Sequence, residues 1–272
     1  MRFSTSAILL IITSFYLYGQ SGDFRMGSRS MALGYASGNI TDEWSGFNNI
    51  GAIAAGPQSA SVCFAYQSIY TLRKFGKKAA AILFPYRKID GCINFFSFGD
   101  DYYNETVISA GIGHKIRFVS LGLRINYYQL VIAGFGTRGV FYFDAGGTAE
   151  IIPGLKIGAS IQNINQVKIS AVTGEKFPVE MELTLSYLPQ ESLLLNLQID
   201  KNSLIKTIYR AGLEYNVHKK LFLRTGISTY PVKNYFGLGF RPAIFIIDYA
   251  LSFQDYLGFN HQLSLAVLLN HK

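Results

Sequence analysis

The stretch Val179-Glu180-Met181-Glu182-Leu183-Thr184-Leu185-Ser186-Tyr187 decides how this chain is read. Its odd positions are apolar and end in Tyr, while its even positions are carboxylates or hydroxyls. Successive side chains of a strand point to opposite faces, so the segment has one greasy face and one wet face.

Working outward, the same alternation starts after Pro57 and continues to the end. It predicts about fourteen strands near Ser59–Ile69, Ala79–Tyr86, Gly91–Phe98, Glu105–His114, Phe118–Tyr127, Gly139–Ile151, Leu155–Ile164, Pro178–Tyr187, Leu193–Asp200, Thr207–Val217, Leu221–Thr229, Tyr235–Arg241, Ile244–Gln254 and Gln262–Asn270. Most approach the roughly 9–11 residues that cross a bilayer at a tilt. Every second connection is tight, such as Lys115-Ile116-Arg117, and those between are expected to run longer, such as Thr71–Lys78 and Tyr128–Arg138. Short turns on one side and longer loops on the other, with an even strand number, form the pattern of an outer-membrane barrel. The fold expectation is all-β: a closed antiparallel transmembrane β-barrel of about fourteen strands with a short N-terminal plug.

Composition agrees. Charged residues are 15% of the 272, against roughly 25% in an average soluble domain. Aromatics are also 15%, which excludes a disordered chain. Rings near the predicted strand ends, among them Tyr66, Tyr70, Tyr187 and Tyr235, suit a membrane interface. The net charge of +8 suits solubility and adhesion to anionic lipid headgroups. It comes with no basic helix or aromatic-basic motif, so nucleic acid is not an expected partner.

Three regions follow. Residues 1–19 read as a signal peptide, with Arg2 and then an apolar core from Ala7 to Tyr18. Residues 20–57 do not alternate and are too polar for lipid, so they read as a plug folded in the barrel mouth. There Asp42 is placed to N-cap a short helix through Phe47, with Trp44 and Phe47 stacked on one side. Residues 58–272 are the barrel. Cys63 and Cys92 fall on the first and third strands, too far apart for a bridge, and read as small buried side chains.

Two stretches resemble a known family. Met26-Gly27-Ser28-Arg29-Ser30-Met31-Ala32-Leu33-Gly34-Tyr35-Ala36 and Asp42-Glu43-Trp44-Ser45-Gly46-Phe47-Asn48-Asn49-Ile50-Gly51-Ala52 resemble the N-terminal signature of the PorV/PorQ group within the FadL-like outer-membrane barrels. Leu257-Gly258-Phe259-Asn260-His261 resembles the family's closing hairpin. The chain departs from the pattern after Asn49, where a Pro is absent, and it lacks a terminal aromatic. The resemblance implies a plugged fourteen-strand barrel in the outer membrane of a Gram-negative, Bacteroidota-type bacterium. It implies one of two roles: docking of secreted or envelope proteins beside type IX secretion machinery, or inward transport of hydrophobic small molecules.

Chemistry is sparse. Gly134-Phe135-Gly136-Thr137-Arg138-Gly139 matches a dinucleotide fingerprint in spelling only, because a strand follows where a helix is required. The four histidines fall at separate turns, loops or the terminus, and no nucleophile elbow or zinc-protease motif occurs. No catalytic residue, metal or cofactor is expected. By parity Glu180, Glu182, Arg210, Glu214, Arg224, Arg241 and Asp248 point inward, with Glu214 and Arg224 placed to pair across a turn. They read first as a mixed-charge network that satisfies itself, and second as a wall that binds a solute or the plug. Arg25, Arg29, Asp42, Glu43, Trp44 and Asn49 are the plug residues placed to meet that wall. The leading expectation is a non-enzymatic docking component in contact with outer-membrane lipid. The alternatives are transport of small hydrophobic compounds and a narrow polar pore.

Overall fold

The computed structural model describes residues 23–56, 59–86, 89–169, 177–255 and 257–269. The expected signal segment and His271 lie outside them. Fourteen strands run in chain order: β1 (Ser61–Ile69), β2 (Leu72–Tyr86), β3 (Ile89–Gly99), β4 (Tyr103–Ile116), β5 (Val119–Ile132), β6 (Gly136–Ile152), β7 (Leu155–Gln162), β8 (Glu180–Gln190), β9 (Leu193–Asn202), β10 (Ile208–His218), β11 (Leu221–Thr229), β12 (Val232–Phe240), β13 (Phe245–Gln254) and β14 (Gly258–Leu268). Each pairs antiparallel with its sequence neighbours, and β14 pairs with β1 from Ser61↔Leu268 to Ser68↔His261, which closes the ring. Closure removes the unpaired edges that an open sheet presents.

Residues 180–187 of the alternating stretch lie in β8. Glu180, Glu182, Thr184 and Ser186 are buried, and Met181, Leu183, Leu185 and Tyr187 are exposed. On β13, Asp248 and Ser252 are likewise buried while Phe245, Ile247 and Tyr249 are exposed. Polar-in and apolar-out is the reverse of a water-soluble protein. A greasy outer face repeated around a closed ring is what a bilayer core covers.

The connections differ from expectation. Thr71–Lys78 is not a loop: β1 and β2 meet at the turn Tyr70–Thr71, both residues in the left-handed region (φ 50° and 58°). Lys77 therefore belongs to β2, and its Nζ donates to the Asp23 carbonyl at 2.8 Å. Tyr128–Arg138 is mostly strand as well, with Tyr128↔Val140 and Leu130↔Arg138 in register. These strands keep pairing where polar and apolar residues no longer alternate cleanly, so the hydropathy contrast fades before the hydrogen bonding does. Gly134 and Gly136 (φ 80° and 94°) make the exposed turn into β6. Cys63 and Cys92 are free and buried.

Residues 23–56 pack on inward strand faces. Helix α1 (Ser28–Ala32) lies against β12 and β13, where Met31, Ala32 and Tyr35 cluster with Tyr235 and Ala250. The Ser28 N–H donates to Ser264 Oγ at 3.2 Å, and Gln262 Nε2 donates to Met26 Sδ at 3.6 Å, so α1 also reaches β14. Helix α2 (Ser45–Asn48) and the 3-10 turn Ile50–Ala52 follow. The turn rests on the cross-strand pair Gly122↔Gly146 of β5 and β6. A Cβ on Gly122 would meet the Ile50 carbonyl, and one on Gly146 would meet the Asn49 side chain. Asp42 does not N-cap a helix: its Oδ1 accepts the Trp44 N–H at 3.0 Å, an Asx turn, and α2 begins three residues later at Ser45.

Candidate functional site: the occupied interior and its mouth

Inward-facing side chains of the wall and polar side chains of segment 23–56 meet in three groups. In the first, Arg25 reaches four carboxylates: Asp23 (Nε–Oδ1 3.0 Å), Asp200 (Nη1–Oδ2 2.8 Å), Glu182 (3.4 Å) and Glu180 (3.6 Å). Ser160 Oγ donates to Glu182 at 2.9 Å. Arg210 pairs with Asp200 and donates Nη1 to the Gly34 carbonyl at 3.0 Å. Oxygens of Glu180, Glu182 and Asp200 lie within 4.8 Å of one another, close enough for a cation, but their counter-charge comes from Arg25 and Arg210.

The second group joins Arg29 to Glu214 (Nε–Oε2 2.8 Å, Nη2–Oε1 2.6 Å), Glu214 to Arg224 (2.6 Å) and Arg224 to Asp248 (2.5 Å). Glu214 and Arg224 are register partners on β10 and β11. Arg29 also approaches Asp42 at 3.6 Å. Arg241 stands apart: it follows the end of β12, lies over the Phe222 ring at 5.2 Å, and makes no ion pair among the described residues.

In the third group Arg124 donates Nε and Nη2 to Asp144 Oδ2 at 2.9 and 2.7 Å, and its Nη1 to the Phe47 carbonyl at 3.1 Å. Asn126 also donates to that Asp144 oxygen at 2.7 Å. Nearby, Asn49 Nδ2 donates to the Gly38 carbonyl at 2.7 Å and its Oδ1 accepts the Gly51 N–H at 2.9 Å. Trp44 is fully buried, its ring 5.8 Å from that of Phe47.

Burial and neighbours shift the segment's own acids in opposite directions. Burial alone would raise the Asp23 carboxyl, but Arg25 and Lys77 beside it hold it well below the usual range. Among the described residues no guanidinium pairs with Glu43. Burial, reinforced by the Asp42 charge, pushes its carboxyl up to about 7 against an opposing pull from Arg241. Asp42 is raised by burial too, and Arg29 and Arg241 restrain the shift.

At the mouth opposite the paired strand ends Ser61 and Leu268, segment and wall leave a chamber of about 660 Å³. Phe24 forms its floor, with ring centroids 5.1 Å from Phe96 and 5.9 Å from both Tyr128 and Phe177. Tyr35 and Tyr235 meet edge-on at 6.0 Å on the other side. Tyr235 and Tyr70, expected at the lipid interface, line this chamber instead. Phe177 arrives from the connection after β7, and its ring lies 4.8 Å from Tyr142. Asn163 ties that connection down, donating to the Phe177 carbonyl at 2.9 Å while its N–H reaches Asp144 Oδ1 at 2.9 Å. Lys77, Lys233, Gln67 and Asn260 give the chamber a polar side.

No protein-family model and no curated protein matches this sequence. Solved structures do. The CymD monoaromatic hydrocarbon channel superposes with a TM-score of 0.69 at 10% identity, covering 90% of this chain and 98% of its own. A Pseudomonas aeruginosa FadL homologue gives 0.68 at 11% identity, over 90% and 98%. The Pseudomonas putida toluene transporter TodX gives 0.65 at 11% identity, over 89% and 96%. What is shared is the fold. At these identities the likeness reaches no further than the closed fourteen-strand ring.

Sequence reading passed over Arg124, Asp144, Asp200, Asn163 and Phe177. The first three carry the same signal as the residues it named: a charge at an inward position of an alternating strand, as in Leu123-Arg124-Ile125. Asn163 and Phe177 sit outside the alternating segments, and nothing local marks them.

Proposed function

We propose that this chain is an outer-membrane conduit for small hydrophobic compounds, with residues 23–56 acting as its plug. The observation that carries the reading is the aromatic chamber floored by Phe24. A concave, mostly apolar space with a few polar groups is the general form of a small-molecule site. Its position at the open mouth, directly over the segment, suits a compound that must pass or shift that segment. The apolar outer face supports a membrane location, and the fold shared with hydrocarbon and toluene channels supports the substrate class. The test is uptake of isotope-labelled toluene by cells with and without the chain; equal rates in the two strains would sink the reading.

A second reading, a docking component for secreted or envelope proteins, draws on the charge-paired interior. Three arginine-centred groups fix the segment across the lumen, as suits a barrel that carries no traffic. Crosslinking in intact envelopes tests it: recovery of no envelope partner removes it. The same pairing argues against a standing polar pore.

A further inference from the structure

At the mouth where β1 starts at Ser61 and β14 ends at Leu268, the β4–β5 turn, the β6–β7 turn and Ala55 line a second cavity of about 550 Å³. Lys115, Arg117 and Lys156 line it. Among the described residues none of the three has a carboxylate within 4.0 Å. The one acid in the lining, Glu150, accepts the Gly154 N–H at 3.2 Å, and its own N–H donates to the Phe118 carbonyl at 3.1 Å, which ties the two turns together. Arg117 holds φ 57°, a conformation glycine or asparagine adopts more cheaply, so the turn keeps a guanidinium at some backbone cost. Beside Ser120 and Thr148 the lining carries a greasy part: Phe118, Ile151 and Ile152 are exposed, and Ile151 is on the outer face of β6. The cavity thus sits at the rim and joins three cations to exposed apolar side chains, of which Ile151 faces the bilayer side.

We infer that this cavity seats the phosphate headgroup of an anionic membrane lipid, with its acyl chains running out over Phe118, Ile151 and Ile152. A soluble phosphate would use only the cations and leave the apolar half in water; a lipid uses both. The inference is independent of the transport reading, which concerns the opposite mouth. Each cation near a charged headgroup contributes roughly a five-fold gain in affinity, so three set a ceiling of roughly a hundred-fold.

The experiment is native mass spectrometry of the full chain in detergent micelles with dioleoylphosphatidylglycerol or dioleoylphosphatidylcholine. Expected is a preference of at least about ten-fold for the glycerol lipid. K115Q/R117Q/K156Q loses it, while K219Q/K220Q, with charges removed from another turn at the same mouth, keeps it. Heat-modifiable gel mobility checks that each variant is folded, and K115Q and K156Q singly replace the triple variant if it is not. Equal adducts for the two lipids, an undiminished preference in the triple variant, or an equal loss in K219Q/K220Q overturns the inference. Displacement of the lipid by millimolar glycerol 1-phosphate also overturns it, in favour of a soluble phosphate.

Discussion

Arg29 and Glu214 face each other fork to fork, with two hydrogen bonds of 2.8 and 2.6 Å between groups 185 residues apart in the chain. Bidentate pairs of this kind are directional as well as strong. This one ties α1 to β10, and through Glu214 to Arg224 and Asp248. Removing Arg29 takes two charge-assisted hydrogen bonds from Glu214, which keeps Arg224 as its partner, at a cost of about 1.5–3 kcal/mol. Arg29→Gln is expected to free the segment while the ring survives. Planar-bilayer conductance should rise and heat-modifiable mobility should persist; unchanged conductance would contradict the latch.

The 3-10 turn approaches the wall backbone at Gly122 and Gly146 too closely for any side chain. Gly146→Leu should push the turn off β6, with an overpacking cost of about 1–3 kcal/mol. Hydrogen exchange should quicken at residues 49–52 and stay slow in β5 and β6. Uniform loss of protection across the barrel would place the glycine's role in strand pairing instead.

Glu43 makes the segment pH-sensitive. Its carboxyl ordinarily titrates at 4.5 and here at about 7, because burial favours the neutral form. A raised acid contributes stability that is fully present below 4.5 and is lost as pH rises through 7. Asp42 and Asp248 face it with like charge, and Arg241 opposes them. After correction for the intrinsic base-catalysed rate, protection in residues 23–56 should therefore fall between pH 4.5 and 7, and Glu43→Gln should abolish that change. Corrected wild-type protection that stays flat across this interval would refute it.

Phe24 is the chamber floor, in contact with three rings. Aromatic pairs add about 0.5–1.5 kcal/mol beyond area burial, so Phe24→Ala should weaken binding of a toluene-sized probe by roughly ten-fold. Fluorescence titration of the purified chain measures it. Undiminished affinity would move the ligand site elsewhere.

The strand count was legible because fourteen segments repeat one physical constraint, lipid outside and polar groups inside. Loop sizes were not, since Tyr128 and Leu130 continue pairing where the composition already looks like loop. Glu214 and Arg224 were legible because a hairpin fixes which residues face each other. Their link to Arg29 was not, because a three-dimensional closure sets it rather than any spacing. Arg124 and Asp144 carried the same alternation signal and went unread. The chamber was invisible, since Phe24, Phe96, Phe177 and Tyr235 come from four remote places in the chain.

The contacts of Ser28 and Met26 with Ser264 and Gln262 bear on assembly. The earliest part of the described chain rests on the last strand to be made. Helix α1 therefore cannot finish docking until β14 has arrived and sealed against β1. Protection of Ser28–Ala32 in a pulse-labelling experiment thus becomes a clock for the moment at which the cylinder shuts.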